Sequence, residues 1–237
     1  MIDKTTLKAQ AAALGIELDG TALDRFDKYA EMLVETNKTM NLTAITEPSE
    51  IVSKHFADCL SLLKEVDIKK GAKMIDVGTG AGFPGVVILI ARPDINMTLM
   101  DSTGKRLKFV QSVIDELSLK ADVVHMRAEE AGKNPEYREK YDISCARAVA
   151  NMNVLSEYCL PFLKCGGIFA AMKGAKASDE LQSAKRAIAL LGGSALPAKE
   201  FFIENCGERT ILCVKKISQT PSKYPRASAQ IAKKPLE

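Results

Sequence analysis

Residues 74–85 read MIDVGTGAGFPG, and no other stretch constrains the fold as much. A short strand-like run meets glycines at 78, 80 and 82, a fourth follows at 85, and an apolar helical run begins there. Glycine has no Cβ, so the backbone turns tightly and lets a ligand come close. The helix that follows points its first amides at whatever sits in the turn. Asp101 closes the next strand-like run, 23 residues after Gly78, where a carboxylate accepts hydrogen bonds from ribose hydroxyls. Strand, glycine turn, helix and distant acid together predict a bound nucleoside held by Gly78, Gly80, Gly82 and Asp101.

The rest of the chain supplies the scaffold such a turn needs. Strand-like runs fall at 73–77, 97–101, 122–125, 141–146 and 168–172, alternating with helical runs at 86–92, 105–117, 153–163 and 178–191. That alternation predicts βαβ units and a parallel sheet covered by helices on both faces. After Gly192-Gly193 two further strands, 198–203 and 210–216, flank an Asn-Cys-Gly-Glu turn and close the sheet with a hairpin. Residues 1–66 read as helices at 5–14, at 21–38 and from Pro48 onward. The expected organisation is a helical extension (1–66) packed on a core (67–217), then a loop-like basic tail (218–237). A length of 237 residues suits one large domain with such additions.

Composition narrows the function. The longest strongly apolar stretch, 85–91, falls far short of the roughly 20 residues of a membrane span. The first ten residues, MIDKTTLKAQ, carry charge where a secretory signal carries its apolar core, so a cytoplasmic protein without membrane contact is expected. Six cysteines form no C-x-x-C pair and only His55 and His125 accompany them, so no metal site is expected. Net charge is +3, but residues 215–237 carry six basic groups against one acid while the first 214 residues sum to −2. A near-neutral body with a basic tail suits an anionic partner.

The cofactor has two readings. Gly80-x-Gly82-x-x-Gly85 matches the dinucleotide pattern, which leaves an NAD-dependent oxidoreductase open. Gly78-x-Gly80-x-Gly82 with Asp76 before it resembles instead the first motif of S-adenosylmethionine-dependent methyltransferases, in which that acid lies near the cofactor's amino-acid end. Taken with LMDSTGKRLKFV (99–110), MRAEE (126–130), SCARAVA (144–150), AMKG (171–174), NKTMNLTAI (37–45), KHFADCLSLL (54–63) and KYPR (223–226), the chain resembles the RsmG (GidB) family. These are bacterial 16S rRNA guanine-N7 methyltransferases. The order of the motifs makes the resemblance specific, and it covers nearly the whole chain. Cys59 stands where the family usually has Ser, and Ala229 and Ile231 where its tail has Gly and Pro.

The resemblance implies an α/β, Rossmann-like class I methyltransferase fold: a seven-stranded, mostly parallel sheet with a terminal antiparallel strand and an N-terminal helical extension. It implies S-adenosylmethionine as cofactor and 16S rRNA, at guanine 527 in the small subunit, as substrate of a monomer. Gly78 and Phe83 would line the methionine and adenosine pocket, Asp101 would hold the ribose, and Ala128 and Glu129 would flank the adenine. Arg147 would stand at the end of the fourth strand, beside the transferable methyl, orienting cofactor, guanine or phosphate. A non-catalytic ribosome-binding protein that keeps a cofactor pocket is the alternative from another class.

Other residues have plainer readings. Guanine N7 has an in-plane lone pair and no proton to lose, so transfer to it needs alignment rather than a general base. CARA (145–148) stands where amino-group methyltransferases carry an Asn/Asp-Pro-Pro-aromatic motif, and Cys145 reads as a core residue rather than a nucleophile. His55 and Asp58, three apart on a helix, are either a cofactor-side contact or an anchor for the N-terminal helices, and the anchor is the simpler account. Asn37 and Asn41 read as RNA-facing amides or as caps. Lys173 after the fifth strand, and Lys223, Tyr224 and Arg226 in the tail, are the candidate RNA contacts, with Tyr224 offering a ring to stack on a base. Lys105, Arg106 and Lys108 form a second basic cluster. So modest a charge leaves much of recognition to shape, as on a preassembled particle.

Overall fold

A computed structural model of the chain describes residues 1–174 and 177–237. Strand β1 (Lys73–Val77) is buried at four of its five positions because it lies mid-sheet, paired in parallel with β2 (Asn96–Asp101) and β4 (Tyr141–Arg147). Strand β3 (Ala121–His125) extends the sheet beyond β2, and β5 (Leu163–Lys173) extends it beyond β4. Strand β8 (Gly207–Lys216) runs antiparallel to β5. The order is β3-β2-β1-β4-β5-β8-β6, with β7 also on β8. The strand order reverses between β1 and β4, and in open α/β sheets ligands bind in the crevice at that reversal.

The sheet has eight strands where seven were expected. Strand β6 (Gly193–Ala195) pairs Ala195 with Val214 and β7 (Lys199–Ile203) pairs Lys199 with Ile211, both on the outer edge of β8. They share one edge position, broken at Pro197, whose ring nitrogen carries no hydrogen for the ladder. Seven positions thus hold eight strands.

Helices cover both faces. On one face, α5 (Gly85–Ala91) is buried at 85–90 because the N-terminal helices lie over it. Beside it runs α6 (Gly104–Glu116). Helix α1 (Lys4–Ala13) is capped by Asp3, and α2 (Gly20–Met40) by Asp19. The third helical segment is one continuous rod in three forms: α3 (Pro48–Glu50), a π-helical stretch (Ile51–Ala57) and α4 (Asp58–Glu65). Phe26, Leu33, Phe56 and Leu60 share one apolar core with Val86, Met74 and Leu99, so the extension and the sheet bury each other. The opposite face carries the one-turn α7 (Ala128–Ala131), α8 (Met152–Cys159) and α9 (Ala177–Leu190) over Phe162, Phe169 and Leu212. Helix α8 stops at Cys159, short of the expected 163, and a 3-10 turn over Leu160–Phe162 containing Pro161 leads into β5.

The tail departs from the loop expected of it. It forms a short helix, α10 (Ser228–Lys233), and buries Ile231 fully. Among the described residues no helix is long and apolar enough to cross a membrane.

Candidate functional site

The glycine turn after β1 forms the floor of a cleft of about 430 Å³, within the range of small-molecule sites. Gly78, Gly80 and Gly82 have φ of 77°, 60° and 105°, the left-handed region that favours glycine. A Cβ on Gly78 would lie 2.8 Å from Val149 Cγ2, so only a bare backbone fits between the floor and the 148–149 loop. Gly78, Gly80, Phe83, Asp101, Ala128, Glu129 and Arg147 all line the cleft. Gly82 does not: its Cα faces inward, toward Tyr29 Oη and Val86.

Three buried supports shape the turn from beneath. Asp76 Oδ2 accepts hydrogen bonds from Thr79 Oγ1 (2.6 Å) and Gly85 N (2.8 Å). Its carboxylate thus holds the loop and does not reach the cleft, unlike the position that the resemblance implies. Burial raises its pKa to about 6, against the lowering effect of Thr79, Gly85 and Cys145. Cys145 lies in the core with its Sγ 3.7 Å from Asp76 Oδ1, and burial pushes its thiol well up. From the N-terminal extension, Tyr29 donates to Ala81 O at 2.6 Å and stacks on Phe83 at 5.4 Å.

Asp101 keeps hydrogen-bonding capacity toward the cleft. Asp101 accepts from Gly80 N (2.9 Å) on one oxygen and from Thr103 N (2.8 Å) on the other. A carboxylate has about four acceptor positions, so each oxygen keeps one for a hydroxyl. The bare floor, the half-used carboxylate and the cleft volume fit a nucleoside-bearing cofactor such as S-adenosylmethionine. Among the described residues no group of His, Cys, Asp and Glu is placed to hold a metal ion.

The other end of the cleft is built around Arg147 at the carboxyl end of β4. Its Nη1 donates to Asp58 Oδ2 (2.9 Å) and Lys54 O (3.1 Å), and its Nη2 to His55 Nδ1 (3.0 Å). The guanidinium lies 5.0 Å from the centre of the Phe83 ring, on which His55 also stacks at 4.3 Å. Arg209 Nε donates to the second Asp58 oxygen at 3.1 Å. Arginine has no acceptor, so His55 Nδ1 must be the bare nitrogen and Nε2–H donates to Thr43 Oγ1 at 2.9 Å. Burial first, then the Arg147 charge, lowers the His55 pKa to about 3. The histidine is therefore neutral, with both ring nitrogens engaged.

The side chains of His55 and Asp58 make no hydrogen bond to each other. They anchor the N-terminal helices, as expected, but by gripping one arginine of the sheet, and His55 with Thr43 walls the cleft as well. The π-helical stretch adds a residue to the turn that carries Lys54 and His55, a distortion common at functional sites. Sequence spacing did not reveal Arg209, since its partner is 151 residues away.

None of the four expected RNA contacts lines the cleft. Lys173 is spent within the protein, on Ala150 O (2.6 Å) and Glu180 (2.7 Å). Tyr224 is 7% exposed, so its ring cannot receive a base, and Arg226 is paired with the fully buried Glu157. Lys223 lies over the Tyr224 ring. Asn37 accepts from Thr43 N and Asn41 ends α2 at φ 47°, so both shape the turn before Pro48. His125 meets Ser102 O at a strand end. Arg106 reaches the cleft rim.

The model of the GidB family, described as rRNA small subunit methyltransferase G, matches residues 22–211. The ribosomal RNA small subunit methyltransferase G of Lachnoclostridium phytofermentans is 44% identical over 238 residues, covering 100% of this chain and 98% of that protein. The protein of the same name from Acetivibrio thermocellus is 48% identical over 228 residues, covering 95% and 93%. Among solved structures, a SAM-dependent O-methyltransferase from Thermotoga maritima aligns with a TM-score of 0.54 at 16% identity, covering 79% of this chain and 72% of that one. A putative methyltransferase from Bacillus halodurans aligns at 0.52 and 16%, covering 68% and 100%. The fold is thus the Rossmann-like one of class I methyltransferases.

Proposed function

The chain belongs to the rRNA small subunit methyltransferase G family, and from that membership we propose that it moves a methyl group from S-adenosylmethionine to N7 of one guanine, position 527, of 16S rRNA in the small ribosomal subunit. The transfer is a direct, in-line displacement that requires no general base. S-adenosylmethionine, when bound, supplies a methyl group on a positively charged sulfur.

The chain's residues hold and orient. Asp101 would take the ribose hydroxyls on its free acceptor positions. The backbone of Gly78 and Gly80 would face the methionine end, with Phe83 as an apolar wall. The amide of Ala128 and the side chain of Glu129 would flank the adenine. Arg147, fixed by Asp58, Lys54 and His55, would orient the guanine or its phosphate and exclude water from the reacting end.

The observation that carries this mechanism is the absence of a free base around Arg147 among the described residues. His55 Nδ1 is taken by Arg147, and Asp58 is neutralised by Arg147 and Arg209. Asp101 ends β2, two strand positions from β4, roughly 10 Å away at the spacing of strands in a sheet. An acceptor that had to lose a proton would find no partner there, whereas guanine N7 needs none. The test is transfer of a labelled methyl to reconstituted subunits whose target guanine is replaced by 7-deazaguanine. Loss of transfer supports N7, and undiminished transfer refutes it.

A further inference from the structure

The C-terminal segment is basic and leaves Lys223, Lys233 and Lys234 exposed, yet Thr220, Tyr224 and Arg226 are turned into the protein. Arg138 Nη1 donates to both Gly132 O (2.8 Å) and Tyr224 O (2.9 Å), tying the end of α7 to the segment. Its Nη2 donates to Thr220 O at 2.5 Å, and Thr220 N donates to Glu139 at 3.0 Å. Arg226 donates to Glu157 four times with its side chain and backbone: Nε to both oxygens at 2.9 and 3.2 Å, Nη2 at 2.7 Å and the backbone N at 2.8 Å. Glu157 is 0% exposed, and Arg226 is its cationic partner. Farther on, Asn153 Nδ2 donates to Leu236 O at 2.6 Å.

The elements held in this way are those that wall one end of the cleft. Helix α7 is a single turn, too short to be stable by itself. Its first residues, Ala128 and Glu129, line the cleft, while its far end packs on the segment: a Cβ on Gly132 would lie 3.0 Å from Pro225 Cγ. Helix α8 carries Glu157, and the next residue, Tyr158, lines the same cleft.

We infer that residues 218–237 are a brace for the Ala128–Glu129–Tyr158 wall of the cleft, with Arg226 and Glu157 as positioning residues that set cofactor affinity from outside it. This rests on the proposed S-adenosylmethionine site. The brace takes Tyr224 and Arg226 out of the RNA-contact role that the segment's charge suggests and leaves Lys223 exposed.

The test compares wild type, Arg226→Gln, Arg226→Lys and the double variant Glu157→Gln/Arg226→Gln, which leaves no lone buried charge if the single variant folds poorly. S-adenosylmethionine and S-adenosylhomocysteine binding is measured by calorimetry well below the unfolding midpoint. Amide exchange over residues 126–134 and the KM for small subunits are measured in parallel. Arg226→Gln should weaken cofactor binding by about tenfold and speed exchange at 128–132, since its removal strands a buried carboxylate. KM for the subunit should stay put, and Arg226→Lys, which keeps the charge but not the fork, should recover part of the affinity. A purely structural role would lower the midpoint and leave cofactor affinity of the folded variants unchanged, which overturns the brace. A raised KM for the subunit with normal cofactor binding also overturns it and gives Arg226 to the RNA. Failure of the wild type to bind either cofactor form overturns the site itself, and the brace with it.

Discussion

His55 should make this protein sensitive to acid. In the native state its pKa is lowered to about 3, from an ordinary 6.5, by burial and by the Arg147 charge. Between those values the unfolded chain binds a proton that the native chain refuses. The stability this gives is complete above 6.5 and is lost as pH falls toward 3. From pH 7 to pH 5 the loss is about 2 kcal/mol, because the unfolded imidazole gains about 1.5 pH units of protonation free energy at 1.36 kcal/mol each. Asp76 works in the opposite sense: its pKa, raised to about 6, favours the native state at low pH and loses that contribution as pH rises. A comparison with His55→Gln removes this complication, since both proteins carry Asp76. Glutamine can still accept from Arg147 and donate to Thr43. Urea unfolding of both proteins at the two pH values should therefore show the wild type losing about 2 kcal/mol more than the variant. Equal losses, within about 0.5 kcal/mol, would mean that the native histidine takes up the proton, and the neutral, doubly engaged ring would be wrong.

Other outcomes follow from the same geometry. Gly85→Ala puts a Cβ into Leu99 Cδ2 and 2.8 Å from Asp76 Oδ2, so unfolding should show a loss of about 3 kcal/mol, the upper part of the range for overpacking; a loss under about 1 kcal/mol would contradict the tight seat of the turn. Tyr29→Phe leaves the Ala81 carbonyl without its donor, and should cost about 1–3 kcal/mol and weaken S-adenosylmethionine binding severalfold by calorimetry. Unchanged binding would detach the N-terminal helices from the cleft's shape. The rate at saturating substrates should be flat from about pH 6 to about pH 8.5, and a limb titrating in that window would require the general base that the mechanism omits.

The parts of the fold that depend on neighbours in sequence were legible, and those that depend on distant ones were not. Strand, glycine turn and helix at 73–91 follow from local rules: apolar β residues, missing Cβ atoms, an apolar run. The five parallel strands and the hairpin fall where alternation put them. Strand β6 was missed because three residues that begin with Gly193 carry no strand pattern, and only the ladder with β8 holds them extended. The tail looked loop-like because its order comes from Arg138, Glu139 and Glu157, about 70 to 80 residues away. The same distance hid how the site is assembled. His55, Asp58 and Arg147 could each be singled out, but their joint grip spans about 90 residues. Charge was the least reliable guide, for Lys173 and Arg226 are both committed to internal carboxylates.

The most direct test of the account is to incubate the protein and labelled S-adenosylmethionine with small subunits from cells lacking the modification, then cleave the 16S rRNA at 7-methylguanine. The account predicts a single cleavage, at guanine 527, absent without the protein and lost with Arg147→Gln. Label at another base or atom, or no label on subunits or free rRNA from a protein that binds the cofactor, would contradict it.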